Sequence, residues 1–178
     1  MGISASKFTG KEFSQDTLTG AAVSMTQEHH EIHEGDHYFI DNYQLALANA
    51  ATIEFLITTP DTTKWGHFTF SMWSSQGATI DVYKGPTGIT GGSAIIPVNN
   101  NGNSTNMSMI SIIKDPTEIT SDGAFAAGFL AGAGRDAGIA SRDKEIIFQQ
   151  NQTYLLRLTA TAGPGSVSWG FDWYEHTS

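Results

Sequence analysis

The alternating pattern near the C-terminus is the feature that most limits the fold of this chain. Over residues 167–174 one set of side chains is large and apolar and the other is mainly small or polar: Val167, Trp169, Phe171 and Trp173 against Ser168, Gly170, Asp172 and Tyr174. A period of two places each set on its own face of a β-strand. Residues 153–160 show the same period, and Gly163-Pro164-Gly165-Ser166 forms a turn between the two segments. The pattern predicts an antiparallel hairpin with one buried face.

Further short apolar runs, separated by Gly, Pro, Asn and Asp, indicate more strands. They cover residues 37–40, 52–58, 65–73, 79–83, 95–98, 107–113, 124–130 and 145–149. Residues 43–50 are the one stretch with helical character. About eight to ten short strands with almost no helix are typical of an antiparallel sandwich or barrel. We therefore predict an all-β, antiparallel β-sandwich of jelly-roll type, with an immunoglobulin-like sandwich as the alternative.

The chain length of 178 residues fits one domain. Residues 1–31 are polar, and their apolar residues follow no regular period. We predict that residues 1–31 form an extended N-terminal arm, which gains order against a partner, and that residues 32–178 form a single sandwich domain. Phe8, Phe13 and Leu18 are the apolar anchors of this arm.

The charge and the absence of cysteine exclude several classes of function. Nine basic residues against eighteen acidic ones give a net charge of −9, which opposes binding to nucleic-acid phosphates. With no cysteine, neither a disulfide framework nor thiolate chemistry is available. No apolar leader or membrane-spanning run is present, so we expect neither secretion nor membrane insertion.

Four of the six histidines lie between residues 29 and 37, and His33-Glu34-Gly35-Asp36-His37 matches the zinc-protease motif. That motif needs a helix through both histidines, whereas Gly35 and Asp36 are poor helix formers. In a strand the two rings would lie about 13 Å apart, too far for one ion. The spacing also differs from that of cupin metal sites. We expect a polar turn, no metal and no cofactor, with a cupin-like metalloenzyme as a remaining alternative.

No other pattern predicts catalysis. Asp172 and Glu175 have an odd spacing, which places them on opposite faces of a strand, and no nucleophile or phosphate-binding motif occurs. We therefore predict no catalytic residues. Trp169 and Trp173 are expected in the core, whereas Trp65 follows a polar loop and is the best candidate for an exposed ring. An exposed ring would suit a carbohydrate-binding or receptor-binding module of the kind found in fibres and tails.

Three segments carry a resemblance to a known family: residues 30–37 (HEIHEGDH), residues 53–65 (IEFLITTPDTTKW) and residues 173–177 (WYEHT). They resemble head decoration, or cement, proteins of tailed bacteriophages. The resemblance implies a structural virion protein, assembled in the bacterial cytoplasm, that binds the outer surface of the capsid, commonly as a homotrimer. Its partner would be the major capsid protein, with no direct contact to nucleic acid or membrane and no enzymatic activity.

Two segments are the expected contacts with that partner. The first is the arm, through Phe8, Phe13 and Leu18. The second is the polar run 99–106, whose asparagines favour turns over strand pairing. From that run we select Asn100, Asn101 and Asn103.

Overall fold

The computed structural model describes residues 26–139 and 145–177, which form one helix and twelve strands. The bounds are α1 (Gln27–Glu34), β1 (His37–Leu47), β2 (Thr52–Thr59), β3 (Lys64–Ser74), β4 (Ala78–Lys84), β5 (Ser93–Ile95), β6 (Val98–Asn99), β7 (Ser111–Lys114), β8 (Ala124–Ala131), β9 (Arg135–Ile139), β10 (Ile146–Phe148), β11 (Gln152–Ala160) and β12 (Gly165–Thr177). None of the helical residues in these two ranges belongs to a helix long and apolar enough to cross a membrane.

The strands form two antiparallel sheets that pack face to face. Sheet 1 has the order β10-β3-β12-β1-β6, with β9 also paired to β3, and sheet 2 has the order β5-β7-β2-β11-β4-β8. Without the short strands β5, β6, β7 and β10, the orders are β9-β3-β12-β1 and β2-β11-β4-β8. Eight strands with these connections make a jelly roll. The predicted all-β antiparallel sandwich is confirmed.

The core lies between the two sheets and follows the predicted alternation. Trp169, Phe171 and Trp173 of β12 are at most 4% exposed. The ring of Phe55, in the opposite sheet, lies 5.7 Å from the Trp169 ring and 4.8 Å from the Phe171 ring. Strand β12 pairs with β1 along one edge and with β3 along the other. It is therefore the centre of sheet 1, as β11 is of sheet 2.

The predicted helix at residues 43–50 is wrong. Residues 43–47 continue strand β1, where Tyr43 pairs with Ser168 of β12. Ala46 and Ala50 have φ angles of 53° and 61°, which are incompatible with a right-handed helix. The alanine-rich composition favoured a helix, but the pairing with β12 extends the strand to Leu47.

The helix that does form, α1, starts within the segment that was expected to be an extended arm. The Thr26 side chain accepts a hydrogen bond from the His29 amide at the N-terminus, and Gly35 ends the helix at φ 79°. These two caps explain why residues 27–31 are helical and not extended. Residues 1–25, with Phe8, Phe13 and Leu18, lie outside the described residues.

A pair of loops covers part of the outer face of sheet 2. Thr87 pairs with Ser121 and Thr90 with Glu118, which joins residues 85–92 to residues 115–123. The Arg157 guanidinium, on β11, donates to both carboxylate oxygens of Asp122 at 2.6 and 2.7 Å.

Candidate functional site

Helix α1 lies on the outer face of sheet 1, over one end of β1 and β12. The backbone amide of Glu175 donates to the Asp36 carbonyl at 2.9 Å, which ties the end of the helix to β12. His37 points to this outer face, since its neighbour Tyr38 packs against Trp173 in the core. The helix nevertheless covers His37, and the residue is only 1% exposed.

The asparagine-rich run holds the C-terminus of α1. Side-chain amides of the run donate to three carbonyl groups at the helix end: Asn99 to Gly35 (2.7 Å), Asn101 to His33 (3.2 Å) and Asn106 to Glu34 (3.3 Å). The last carbonyls of a helix have no partner within the helix, so these bonds satisfy groups that otherwise need water. Several of the asparagines are therefore structural.

The three predicted contact residues of this run differ in position. The Asn101 side chain is used in the bond to His33, and that of Asn100 lies 3.3 Å from His37 Nδ1. Asn103 is exposed, and its backbone amide donates to Asn101 Oδ1 at 3.1 Å. Asn100 is exposed as well, so Asn100 and Asn103 are the two whose side chains another molecule can reach, whereas the Asn101 side chain bonds within the chain.

Glu28, His37 and Asp172 meet beneath α1, and we refer to them as the α1 cluster. His37 Nε2 lies 3.5 Å from Glu28 Oε1 and 3.3 Å from Asp172 Oδ1. One potential ligand atom from each residue lies within 4.8 Å of the other two. The carboxylate side chains are 39% and 38% exposed, so the cluster opens to solvent on one side.

Three of the other five histidines lie in two further environments. His29 and His33 contact each other on the exposed side of α1, with their Nε2 atoms 3.1 Å apart. Because Gly35 ends the helix, His33 and His37 do not share a helix face, and the motif does not form a metalloprotease site. On sheet 1, His67 Nδ1 lies 2.6 Å from Glu145 Oε1, and its ring stacks on Tyr174 with centroids 4.5 Å apart.

A groove lies along the outer face of sheet 1; we call it the sheet groove. Its volume is about 770 Å³, and it is lined by residues of β1, β3, β9 and β12. Across the sheet, Ser168 pairs with Tyr43 on one side and with Trp73 on the other. The backbones that carry the two rings are therefore about 10 Å apart, the spacing of two strand intervals. This width suits a flat, ring-shaped ligand.

Carboxylates lie along the sheet groove. Burial and the negative charge of Asp172 raise the pKa of Asp41. Asp41 on β1 pairs with Gly170 on β12. A Cβ atom at position 170 would lie 2.3 Å from Asp41 Oδ1, so the absence of a side chain at Gly170 makes room for the Asp41 carboxylate. Asp136, on β9, is a second acidic residue in the lining. Acidic and aromatic groups together can bind hydroxyl groups and the faces of rings.

Large apolar side chains are exposed next to the asparagine-rich run; we call them the apolar rim. They are Ile96 (78% exposed), Val98 (52%), Met107 (75%) and Met109 (50%). The Asn99 side chain donates to the Asn106 carbonyl at 3.1 Å, which holds the two segments together. Sequence reasoning missed the rim, although its residues directly flank the run from which the contacts were selected.

The buried carboxylate of Glu175 fixes one side of the rim. Glu175 is 3% exposed and accepts hydrogen bonds from the Met109 backbone amide and from Trp173 Nε1. The Ser108 hydroxyl donates to the same carboxylate. A buried carboxylate with several donors holds the surrounding backbone in one arrangement.

Trp65 is 40% exposed and Trp169 and Trp173 are buried, as predicted. Trp65 borders a smaller pocket of about 440 Å³ that includes Gln149 and Gln150.

Models of protein families, curated proteins and solved structures were all compared with this chain, and none of them matches it.

Proposed function

We propose that this chain is a structural virion protein that binds the outer surface of a tailed-phage capsid and stabilises the shell. The partner is the major capsid protein, the binding form is a homotrimer, and the protein assembles in the host cytoplasm. The resemblance of residues 30–37, 53–65 and 173–177 to phage decoration proteins supports this proposal. A jelly-roll body with an exposed apolar surface at one end is compatible with it.

The apolar rim is the observation that carries the proposal. Soluble proteins rarely expose several large apolar side chains together unless another surface covers them. Burying one such side chain contributes about 1.5–3 kcal/mol. A trimer would present three rims to neighbouring capsid subunits, so modest individual contacts would add through effective concentration.

The rim is also held in place before it binds. The Glu175 carboxylate fixes the backbone at Met109, and the Asn99 amide joins the two rim segments. A preformed surface loses less conformational entropy on binding than a flexible one. The rim is therefore better suited to recognition than an equally apolar but mobile loop.

Co-sedimentation with capsids that lack the protein tests the proposal. We expect saturable binding at a fixed ratio to capsid subunits, and light scattering should give three times the chain mass of 19.1 kDa. A double variant, Ile96→Ser with Met107→Ser, should lose most of this binding. The matched control is Phe125→Ser with Leu130→Ser on edge strand β8, where the two side chains are similarly exposed at 62% and 69%.

The control should bind like the wild type. Absence of binding by the wild-type protein would refute the capsid proposal. Equal loss of binding in both double variants would show that exposed apolar area in general, and not the rim, is responsible.

The sheet groove supports a second candidate function, a carbohydrate-binding or receptor-binding module. Tyr43 is 64% exposed, and with Trp73 it provides two rings across a floor of small residues. Sugar rings stack on such aromatic faces while acidic and amide groups bind their hydroxyls. Glycan arrays with the wild-type protein and with Tyr43→Ala would identify this function by a ring-dependent signal.

A further inference from the structure

We propose that the α1 cluster is a binding site for a divalent transition metal ion, with Zn²⁺ as the best fit, and that the ion fastens α1 to sheet 1. This differs from the expectation, made from the sequence, that the protein holds no metal. The proposal depends on the geometry of Glu28, His37 and Asp172 and is independent of the capsid proposal.

The types of ligand agree with zinc. The cluster offers one imidazole nitrogen and two carboxylate oxygens, and zinc binds both kinds of atom. Three protein ligands with a fourth position open to water is a common arrangement for zinc. The partial exposure of Glu28 and Asp172 provides both the route of entry and the space for that water.

The distances agree as well. Zinc bonds to nitrogen and oxygen are about 2.0–2.2 Å long, so two ligand atoms at a tetrahedral angle lie about 3.4 Å apart. His37 Nε2 lies 3.5 Å from the Glu28 oxygen and 3.3 Å from the Asp172 oxygen. All three atoms lie within 4.8 Å of one another, so a small rotation of a carboxylate would complete the site.

The surroundings of His37 suit a metal ligand. The ring is 1% exposed, and it lies parallel to Tyr174, with an interplanar angle of 15° and centroids 6.5 Å apart. Its Nδ1 atom is 3.3 Å from the Asn100 side-chain amide. The atom that faces Nδ1 is Asn100 Nδ2, which donates to it, so the proton of a neutral His37 ring lies on Nε2 and an ion bound there would displace that proton.

The same three residues could instead form a metal-free bridge, in which the His37 ring contacts both carboxylates. The two states differ in a measurable way. A bridge needs no ion, whereas a metal site binds one ion per chain and links α1 to β1 and β12. Since the ion would bind the folded protein, it would also raise the temperature of unfolding.

The exposed pair His29 and His33 must be removed from the test, because two histidines one helical turn apart can bind zinc themselves. The reference protein is therefore the full chain with His29→Gln and His33→Gln, stripped with a chelator. We would titrate it with Zn²⁺ by calorimetry and with Co²⁺ by visible absorption, and follow thermal unfolding with and without Zn²⁺.

We expect one Zn²⁺ per chain, visible absorption of tetrahedral Co²⁺, and a rise in unfolding temperature of about 5 °C or more at saturating Zn²⁺. Adding Glu28→Gln and Asp172→Asn, two partly exposed positions that should tolerate substitution, should weaken binding at least about tenfold and abolish the rise. No saturable binding to the reference protein, or equal binding after these two changes, would overturn the proposal.

Discussion

Arg157 and Asp122 show how single residues hold an outer loop onto the sandwich. Arg157 donates to both oxygens of Asp122 and, through Nε, to Glu54 at 2.6 Å. The hydrogen bonds from Arg157 lower the pKa of Asp122 below its ordinary value of 3.8. The same bonds raise the pKa of Arg157, which therefore stays charged. The pair contributes to stability only while Asp122 is ionised.

We predict that Asp122→Asn reduces the acid sensitivity of folding. Because the pKa of Asp122 is lower in the native than in the unfolded protein, its contribution is complete above the unfolded value of about 3.8. The contribution is lost as the pH falls through the lower native pKa. Urea unfolding at pH 7 and pH 3 should show a smaller difference between the two pH values in the variant than in the wild type.

At pH 7 the cost of this substitution should be modest, about 1 kcal/mol or less, because the Asp122 side chain is 38% exposed. Asp61→Asn removes a different exposed carboxylate, away from Arg157, and is the control; it should retain the wild-type difference between the two pH values. An Asp122 variant with the same acid sensitivity as the wild type would contradict the prediction.

At the scale of elements, periodicity predicted the strands where one face is buried. Strand β12 was predicted from its alternation, and its core residues pack as expected. Strand β1 was predicted only in its first half, because the Leu and Ala content of residues 43–50 favoured a helix, and the exposed side chains of Tyr43 and Leu45 in fact belong to the strand. Tertiary pairing with β12, which no local pattern reports, extends the strand.

The candidate sites were less accessible to sequence reasoning. The histidine-rich segment raised the question of metal binding from the sequence alone. The carboxylate nearest to His37, however, is that of Asp172, which lies on the last strand, β12. The sheet groove likewise combines residues of β1, β3, β9 and β12. Sites of this kind depend on the sheet order, and a single sequence does not show which strands become neighbours.

The C-terminus of α1 yields a prediction at the same scale. We expect Asn101→Asp to destabilise the helix, because it replaces the amide that donates to the His33 carbonyl by a negative charge at the negative end of the helix dipole. The oxygen that accepts from the Asn103 amide is retained. Hydrogen exchange of the α1 amides at neutral pH should show local opening easier by about 1–2 kcal/mol.

Asn103→Asp provides the comparison for this helix. It adds the same charge two residues away, at an exposed side chain, and should leave exchange in α1 nearly unchanged. Equal acceleration in both variants would mean that charge alone, and not the lost hydrogen bond, controls the helix end.

At the scale of the whole molecule, the central strands of the two sheets, β11 and β12, are the last two strands in the sequence, and each pairs with strands from earlier in the chain. Strand β11 separates β2 from β4, and β12 separates β1 from β3. The pairing of His37 with Tyr174 brings the beginning and the end of the described chain together. Neither sheet can be completed before the last strands are in place, so the two sheets should fold and unfold together.

Phe171 allows this cooperativity to be tested, because its ring lies 4.8 Å from Phe55 in sheet 2 and 5.6 Å from Phe70 in sheet 1. We predict that Phe171→Ala lowers the free energy of unfolding by about 3–5 kcal/mol, through lost contacts and a cavity between the sheets. Phe125→Ala, on exposed edge strand β8, should cost about 1 kcal/mol or less.

In urea, far-ultraviolet circular dichroism and tryptophan fluorescence should give coincident transitions for both variants and the wild type, because the shared core couples the sheets. Separate transitions in Phe171→Ala would show that one sheet survives without the other, and the central strands would then not be the elements that unite the fold.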